Sequence, residues 1–178
     1  GARARVVPIK GLEEVGFRTN ENIFNLTELP KHLVVIGGGP IGCEMAQAFC
    51  RLGARVSLIH RAPKILPKDE AEAATLVFEQ LKADGVEFHL KADISHCSGN
   101  GAEKIIHLNS ETGGEKEIHC DEILVATGRA PNVEGLGLDE AGVKYSPRGV
   151  QVSDTLHTSN KNIFAAGDVC FPYQFTHS

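Results

Sequence analysis

Three glycines at positions 37, 39 and 42 fall at the spacing G-x-G-x-x-G inside the stretch VIGGGPIGCE (35–44). Alone the spacing is a weak sign, since glycine-rich turns are common. Here it directly follows an apolar run and opens an amphipathic one, the setting of a dinucleotide cradle. Gly37 permits the tight turn, Gly39 lets the backbone approach a pyrophosphate, and Gly42 lets helix and strand pack closely. Unbonded N–H groups at the helix start, carrying about half a positive charge, then face the anion. The competing interpretation is a purely structural glycine turn.

The end of the next strand chooses the nucleotide. A site for NAD usually places Asp or Glu there, about 20 residues on, to hold the ribose hydroxyls. This chain has His60 and then Arg61, with Lys64 close behind. A guanidinium pairs instead with a 2′-phosphate, so the pattern leans toward NADPH. The alternative is that Arg61 and Lys64 form a solvated loop tip. Glu44 is expected in the first turn of the helix, where an acid favours the dipole. Asp168 suits a helix N-cap. The pairs His96-Cys97 and His119-Cys120, with His89 and His107 nearby, suggest zinc, but none has C-x-x-C or H-x-x-x-H spacing.

The elements that must position these residues are readable from periodicity. LVVIG (33–37) has the look of a buried parallel strand. From Pro40 to Leu52, Ile41, Met45, Ala48, Phe49 and Leu52 form one helical stripe, and Gly53 stands where a left-handed cap belongs. ARVSLIH (54–60) follows as a second strand, completing a βαβ unit within about 30 residues. A second helix is expected from Asp69 to Ala83, turning Ala74, Val77, Phe78 and Leu81 inward. VEFHL, EKIIHL and EKEIHC alternate and predict an antiparallel meander, the last two runs joined across NSETGG. DEILVATG (121–128) returns to the buried-strand pattern. The remainder is rich in Gly, Ser and Asn, with short strands around 143–145 and 150–152 and one more buried strand in NIFAAGDV (162–169). The fold class is α/β: a Rossmann-like doubly wound parallel sheet with a small antiparallel β-meander.

Composition narrows the partners. The net charge of −5 over 178 residues argues against nucleic acid. No apolar run approaches the roughly 20 residues of a membrane helix. GARARVVPIK has no signal-peptide character, and both ends read as cuts in a longer chain. Five widely spaced cysteines without a C-x-x-C pair point to free thiols in a reducing, cytoplasmic setting. Cys43 and Cys50 share a helix, and seven residues of rise, about 10 Å, is too far for a disulfide.

Taken together and in this order, VIGGGPIGCEMA (35–46), ILVATGRAPN (123–132) and NIFAAGDV (162–169) resemble the flavin-dependent pyridine nucleotide-disulfide oxidoreductases, the family of dihydrolipoamide dehydrogenase and mercuric reductase. The resemblance covers essentially the whole chain. The opening GARA is similar to the tail of the family's first ATG-type motif, and YQFTHS is similar to the mercuric-reductase branch. The resemblance implies an NAD(P)-binding domain at about 30–131, flanked by FAD-domain pieces at 1–29 and 132–178. It places the nucleotide pyrophosphate on Gly37, Gly39, Pro40, Ile41 and Gly42, and the nucleotide's adenosine end at His60 and Arg61. Glu44 would lie near nicotinamide and flavin, Ile94 at adenine, Gly128 at the nicotinamide end, and Asp168 on the ribityl chain of FAD. Many members have Tyr where Pro40 stands, a ring that covers the flavin. NAD-using members have Glu where His60 stands, and NADP-using ones have Arg at the position of Arg61, as here; their second basic residue falls on Pro67, with Lys68 beside it.

The family's C-x-x-x-x-C redox pair, its FAD-binding G-x-G-x-x-G and its dimerisation domain do not occur in this sequence. The resemblance therefore implies a chain that binds NAD(P)H, works with FAD and dimerisation domains of a longer homodimeric parent, and is inactive alone. Two other readings fit the same residues: a non-catalytic nucleotide-sensing module, and a flavoprotein oxidase or ferredoxin-type reductase lacking the cysteine pair.

Overall fold

The computed structural model describes residues 1–100, 103–109 and 115–170; YQFTHS and most of NSETGG lie outside the described residues. The chain opens with strand β1 (Ala2–Ala4) and a short helix α1 (Leu12–Val15), which buries Leu12 and Val15. Then come β2 (His32–Ile36), α2 (Pro40–Arg51), β3 (Arg55–His60), α3 (Ala71–Ala83) and β4 (Glu87–Leu90). A second series comprises β5 (Ile94–Gly99), β6 (Lys104–Asn109), β7 (Glu115–Cys120) and β8 (Glu122–Val125). Three short strands follow, β9 (Arg129–Pro131), β10 (Tyr145–Ser146) and β11 (Gly149–Val150). Two units result: Val6–Gly128, and Gly1–Arg5 together with Arg129–Ser178.

In the larger unit β4-β3-β2-β8 form a parallel sheet in that order, and β5-β6-β7 an antiparallel one. The class is α/β, as the periodicity predicts. Every residue of β2 is buried, and its alternation divides the core. Leu33 and Val35 join Val56, Leu58 and Leu124 beneath α2 and α3, which supply Cys43, Ala46 and Leu81. Val34 and Ile36 join Ile59, Ile123 and Val125 beneath the meander, which supplies Cys97, Ile106 and Ile118. Both long helices thus lie on one face, while the meander and α1 cover the other.

Lys104 fastens the meander to the sheet. Its Nζ donates to Glu122 Oε1 at 2.5 Å, and both side chains are buried. Glu122 also accepts from Arg18 Nε at 3.0 Å, while the Arg18 N–H donates to Ile123 O and its carbonyl accepts from Val125 N–H. A buried ion pair of this kind needs its remaining lone pairs filled, and the Ile123 N–H fills another on Glu122.

Several expectations change. VEFHL is not part of the meander: β4 is a parallel edge strand, with Phe88 against Phe78 of α3 at a centroid distance of 4.6 Å. The first meander strand is instead ISHCSG, whose polar residues conceal it. A half-buried edge strand and a meander strand share the same period, so alternation alone does not separate them. NIFAAGDV is not a strand: Phe164 makes one bridge to His157 and is 60% exposed, and Gly167–Val169 is a 3-10 turn. Without a neighbouring ladder its apolar composition does not make a strand. α3 begins at Ala71, with Glu70 as its N-cap, and Val77 faces outward. The buried residues of α2 are Gly42, Cys43 and Ala46, with Met45 and Phe49 of the expected stripe packed half-buried beside them and Leu52 69% exposed; Gly42 is small because it touches the helix's own loop.

In the smaller unit β1 pairs with β9 and β10 with β11, around Val133, Val143 and Val150. Arg129 donates to Ala2 O and to Asp168 Oδ2, at 3.0 and 3.1 Å.

Candidate functional site

The glycine turn crosses the carboxyl edge of the parallel sheet between β3 and β8. The Gly37 N–H donates to Ile59 O at 2.9 Å, and the Ala126 N–H to Ile36 O at 2.8 Å. Gly37 has φ +121°, and an added Cβ would meet Ala126 O at 2.3 Å, so turn and strand end touch directly. An added Cβ at Gly42 would lie 1.9 Å from Gly37 O, which seats α2 on its own loop. At Gly39 it would meet nothing within 4 Å. β2 has β3 on one side and β8 on the other, so the strand order reverses beside this turn, which makes it the topological switch point of an open α/β sheet.

Gly39 is the N-cap of α2 and offers no side-chain acceptor, and Pro40 stands at the first helical position. The Cys43 N–H donates to Gly39 O at 3.0 Å. The N–H groups of Gly39, Ile41 and Gly42 have no protein acceptor among the described residues. Three free donors, with open space beside Gly39, fit a pyrophosphate, which is the test a dinucleotide must pass here.

Gly38, between the fingerprint glycines, is held on both its backbone groups, although the G-x-G-x-x-G spacing does not include it. Its N–H donates to His60 Nδ1 at 3.1 Å, and its carbonyl accepts from Leu66 N–H at 2.7 Å. Its added Cβ would meet the His60 ring at 2.9 Å and Ile65 at 3.1 Å. Ile65 is buried, and Leu66 takes φ +48° to reach the turn. The only local sign of this knot is the unbroken triple glycine. Burial, with the Arg61 charge adding to it, holds the His60 imidazole below its ordinary pKa. The Cys43 thiol donates to Gly38 O at 3.8 Å and is pushed up to about 12 by burial, with Asp69 adding.

The structure therefore brings together Gly37, Gly39, Pro40, Ile41, Gly42 and His60, with Arg61 and Lys64 exposed on the loop that leaves β3. Gly128 ends the turn after β8, exposed at φ +130°. Ile94 begins β5 two residues after Ala92, whose N–H donates to His60 O at 3.2 Å; its side chain packs on the meander core. Glu44 is exposed in the second turn of α2, not the first, which is Pro40, Ile41, Gly42 and Cys43 and holds no acid. Asp168 belongs to the smaller unit, where Ala166, not Asp168, is the N-cap of its 3-10 turn.

The whole chain, residues 1–178, matches the family model described as pyridine nucleotide-disulphide oxidoreductase. A dihydrolipoyl dehydrogenase of Bacillus subtilis (strain 168) is 35% identical over 159 residues, 89% of this chain and 34% of its own length. A mercuric reductase of Staphylococcus aureus is 36% identical over 178 residues, 99% of this chain and 32% of its own length. The HOCl-induced flavoprotein disulfide reductase RclA of Escherichia coli superposes with a TM-score of 0.90 at 32% identity, over 99% of this chain and 40% of that one. The chain thus spans about a third of the length of the curated relatives it matches.

Proposed function

Because this chain belongs to the pyridine nucleotide-disulphide oxidoreductase family, we propose that its larger unit is the NAD(P)H-binding domain of an FAD-dependent oxidoreductase. The observation that carries this reading is the set of free N–H groups at Gly39, Ile41 and Gly42, with open space beside Gly39, at the switch point. They take the pyrophosphate, and the start of α2 favours its charge. Arg61, with Lys64, takes the 2′-phosphate and makes NADPH the preferred nucleotide. Gly128 lets the backbone approach the nicotinamide end, Ile94 lies at adenine, and Glu44 helps hold the nicotinamide.

When bound, the nicotinamide supplies a hydride and FAD accepts it. This chain's own part is to bind and orient the dinucleotide. Asp168, presented by Arg129, is assigned to the flavin's ribityl chain. The smaller unit, Gly1–Arg5 together with Arg129–Ser178, is assigned to the FAD domain of a longer homodimeric protein. The 178-residue chain is expected to be inactive by itself.

The reading is tested by calorimetric titration of the chain and of Gly39→Val with NADPH. Gly39 has φ −83° and ψ −177°, a conformation any residue adopts, so the variant should fold normally. Binding by the chain and loss of binding in the variant supports the cradle. Equal binding by both removes it.

A further inference from the structure

His60 ends β3 against the glycine turn, where a dinucleotide fold usually aims a carboxylate at the ribose. Here the side chain turns inward. Nδ1 accepts the Gly38 N–H at 3.1 Å, and an accepting imidazole nitrogen carries no proton, so the neutral ring holds its proton on Nε2. Nε2 is buried with no hydrogen-bond partner among the described residues. The ring lies flush on Gly38, with an added Cβ only 2.9 Å from Cγ and 3.0 Å from Cδ2. One peptide unit is thus gripped on its N–H by His60, while the Gly38 carbonyl is gripped by Leu66.

We propose that His60 is a positioning residue for nucleotide binding: as a neutral acceptor it fixes Gly38 and holds the glycine turn in its binding form, and as an imidazolium it releases that turn. The proposal rests on dinucleotide binding at this turn and assigns His60 a role through Gly38, not a contact with the nucleotide.

An imidazolium has a donor on each nitrogen and no acceptor. Its Nδ1–H would face the Gly38 N–H across 3.1 Å, and the turn would have to open. The surroundings keep the ring neutral. Its partner on β4 is the apolar Leu90, and Ile65 packs on the same glycine. Arg61 on the following loop opposes protonation, adding to burial. From α2 the Cys43 thiol reaches the Gly38 carbonyl and, pushed up to about 12, stays uncharged; Asp69 acts on that thiol. One proton on His60 therefore competes with the nucleotide. Affinity is flat above the ring's pKa and falls by up to tenfold per pH unit below it.

Two measurements on the 178-residue chain test this. The first is titration with NAD⁺ from about pH 8 to about pH 5, a range in which its pyrophosphate keeps its charge while a 2′-phosphate, pKa about 6, would not. The second is nitrogen NMR of the His60 ring and the Gly38 amide, which needs no nucleotide. Expected are an unprotonated Nδ1 near neutrality, a Gly38 amide signal that follows the ring's titration, and NAD⁺ affinity that falls with the same midpoint. His60→Asn puts an amide oxygen where Nδ1 stands, so it should keep affinity within about twofold and lose the pH dependence; His60→Leu should bind about tenfold more weakly at every pH. Flat wild-type affinity, wild-type binding by His60→Leu, or a protonated Nδ1 near neutrality overturns the role of His60 while leaving nucleotide binding intact. Failure of the wild type to bind either NAD⁺ or NADPH at any pH overturns the nucleotide reading and this proposal with it; where NADPH alone binds, wild-type NADPH affinity in His60→Leu at about pH 8, with the 2′-phosphate fully charged, overturns the role of His60.

Discussion

Gly42 approaches Gly37 so closely that an added Cβ would lie 1.9 Å from the Gly37 carbonyl oxygen. The obstacle is backbone, not a flexible side-chain end, so Gly42→Ala must displace α2 from the turn. The expected cost is about 3 kcal/mol, a fall of roughly 10 °C in the unfolding midpoint. Gly39→Ala meets open space and should leave the midpoint unchanged or slightly raised. Scanning calorimetry of the two variants separates a packing glycine from a binding one.

Glu122 is the second place where a single atom matters. Burial opposes its ionisation, yet hydrogen bonds from Lys104, Arg18 and the Ile123 N–H prevail and hold its pKa below the ordinary 4.5. A depressed carboxylate stabilises the fold above its unfolded pKa and loses that contribution as pH falls through the folded value. Lys104→Met should cost about 3 kcal/mol by leaving a buried charge with Arg18 alone, and Lys104→Met with Glu122→Leu should recover most of it. Chemical denaturation of both across the acid range checks the sign: the double variant should lose less stability than the wild type below pH 4.5.

All five cysteines are free thiols. Burial pushes Cys43 and Cys120 up to about 12 and Cys97 to about 11, while Cys50 and Cys170 are half-buried. Alkylation of the native chain at mildly alkaline pH should mark Cys50 and Cys170 and spare the other three, as read by peptide mass spectrometry. Rapid labelling of Cys97 or Cys120 would mean that the meander opens locally, without global unfolding.

The chain as it stands should purify colourless and show no NADPH oxidation with a disulfide or a metal-ion acceptor. Its sequence has neither the C-x-x-x-x-C pair nor a second G-x-G-x-x-G. A yellow sample with stoichiometric flavin would contradict this.

The βαβ unit was legible in the sequence because its signals are local: LVVI, the glycine turn, Pro40 and Gly53 are punctuated within a few residues of one another. ISHCSG was not legible, since only Cys97 of that strand is buried and its partner β6 is recognised by tertiary pairing. NIFAAGDV misled for the opposite reason: its composition suits a strand, but among the described residues it makes a single β-bridge, from Phe164 to His157, and no ladder. At the site, spacing identified the glycines and the basic loop. The grip of His60 on Gly38 spans 22 residues and depends on an imidazole turning inward, which no pattern of residue types records.

Arg61 is exposed on the loop after β3, with no carboxylate at the strand tip. The most direct measurement is calorimetric titration of the chain with NADPH and NADH in parallel, repeated with Arg61→Ala. The account predicts tighter NADPH binding that falls to the NADH level in the variant, a change of about tenfold or more for a charge-assisted phosphate contact. Equal binding of the two nucleotides, unaffected by the substitution, would contradict Arg61 as the reader of the 2′-phosphate; binding of neither would contradict the glycine cradle.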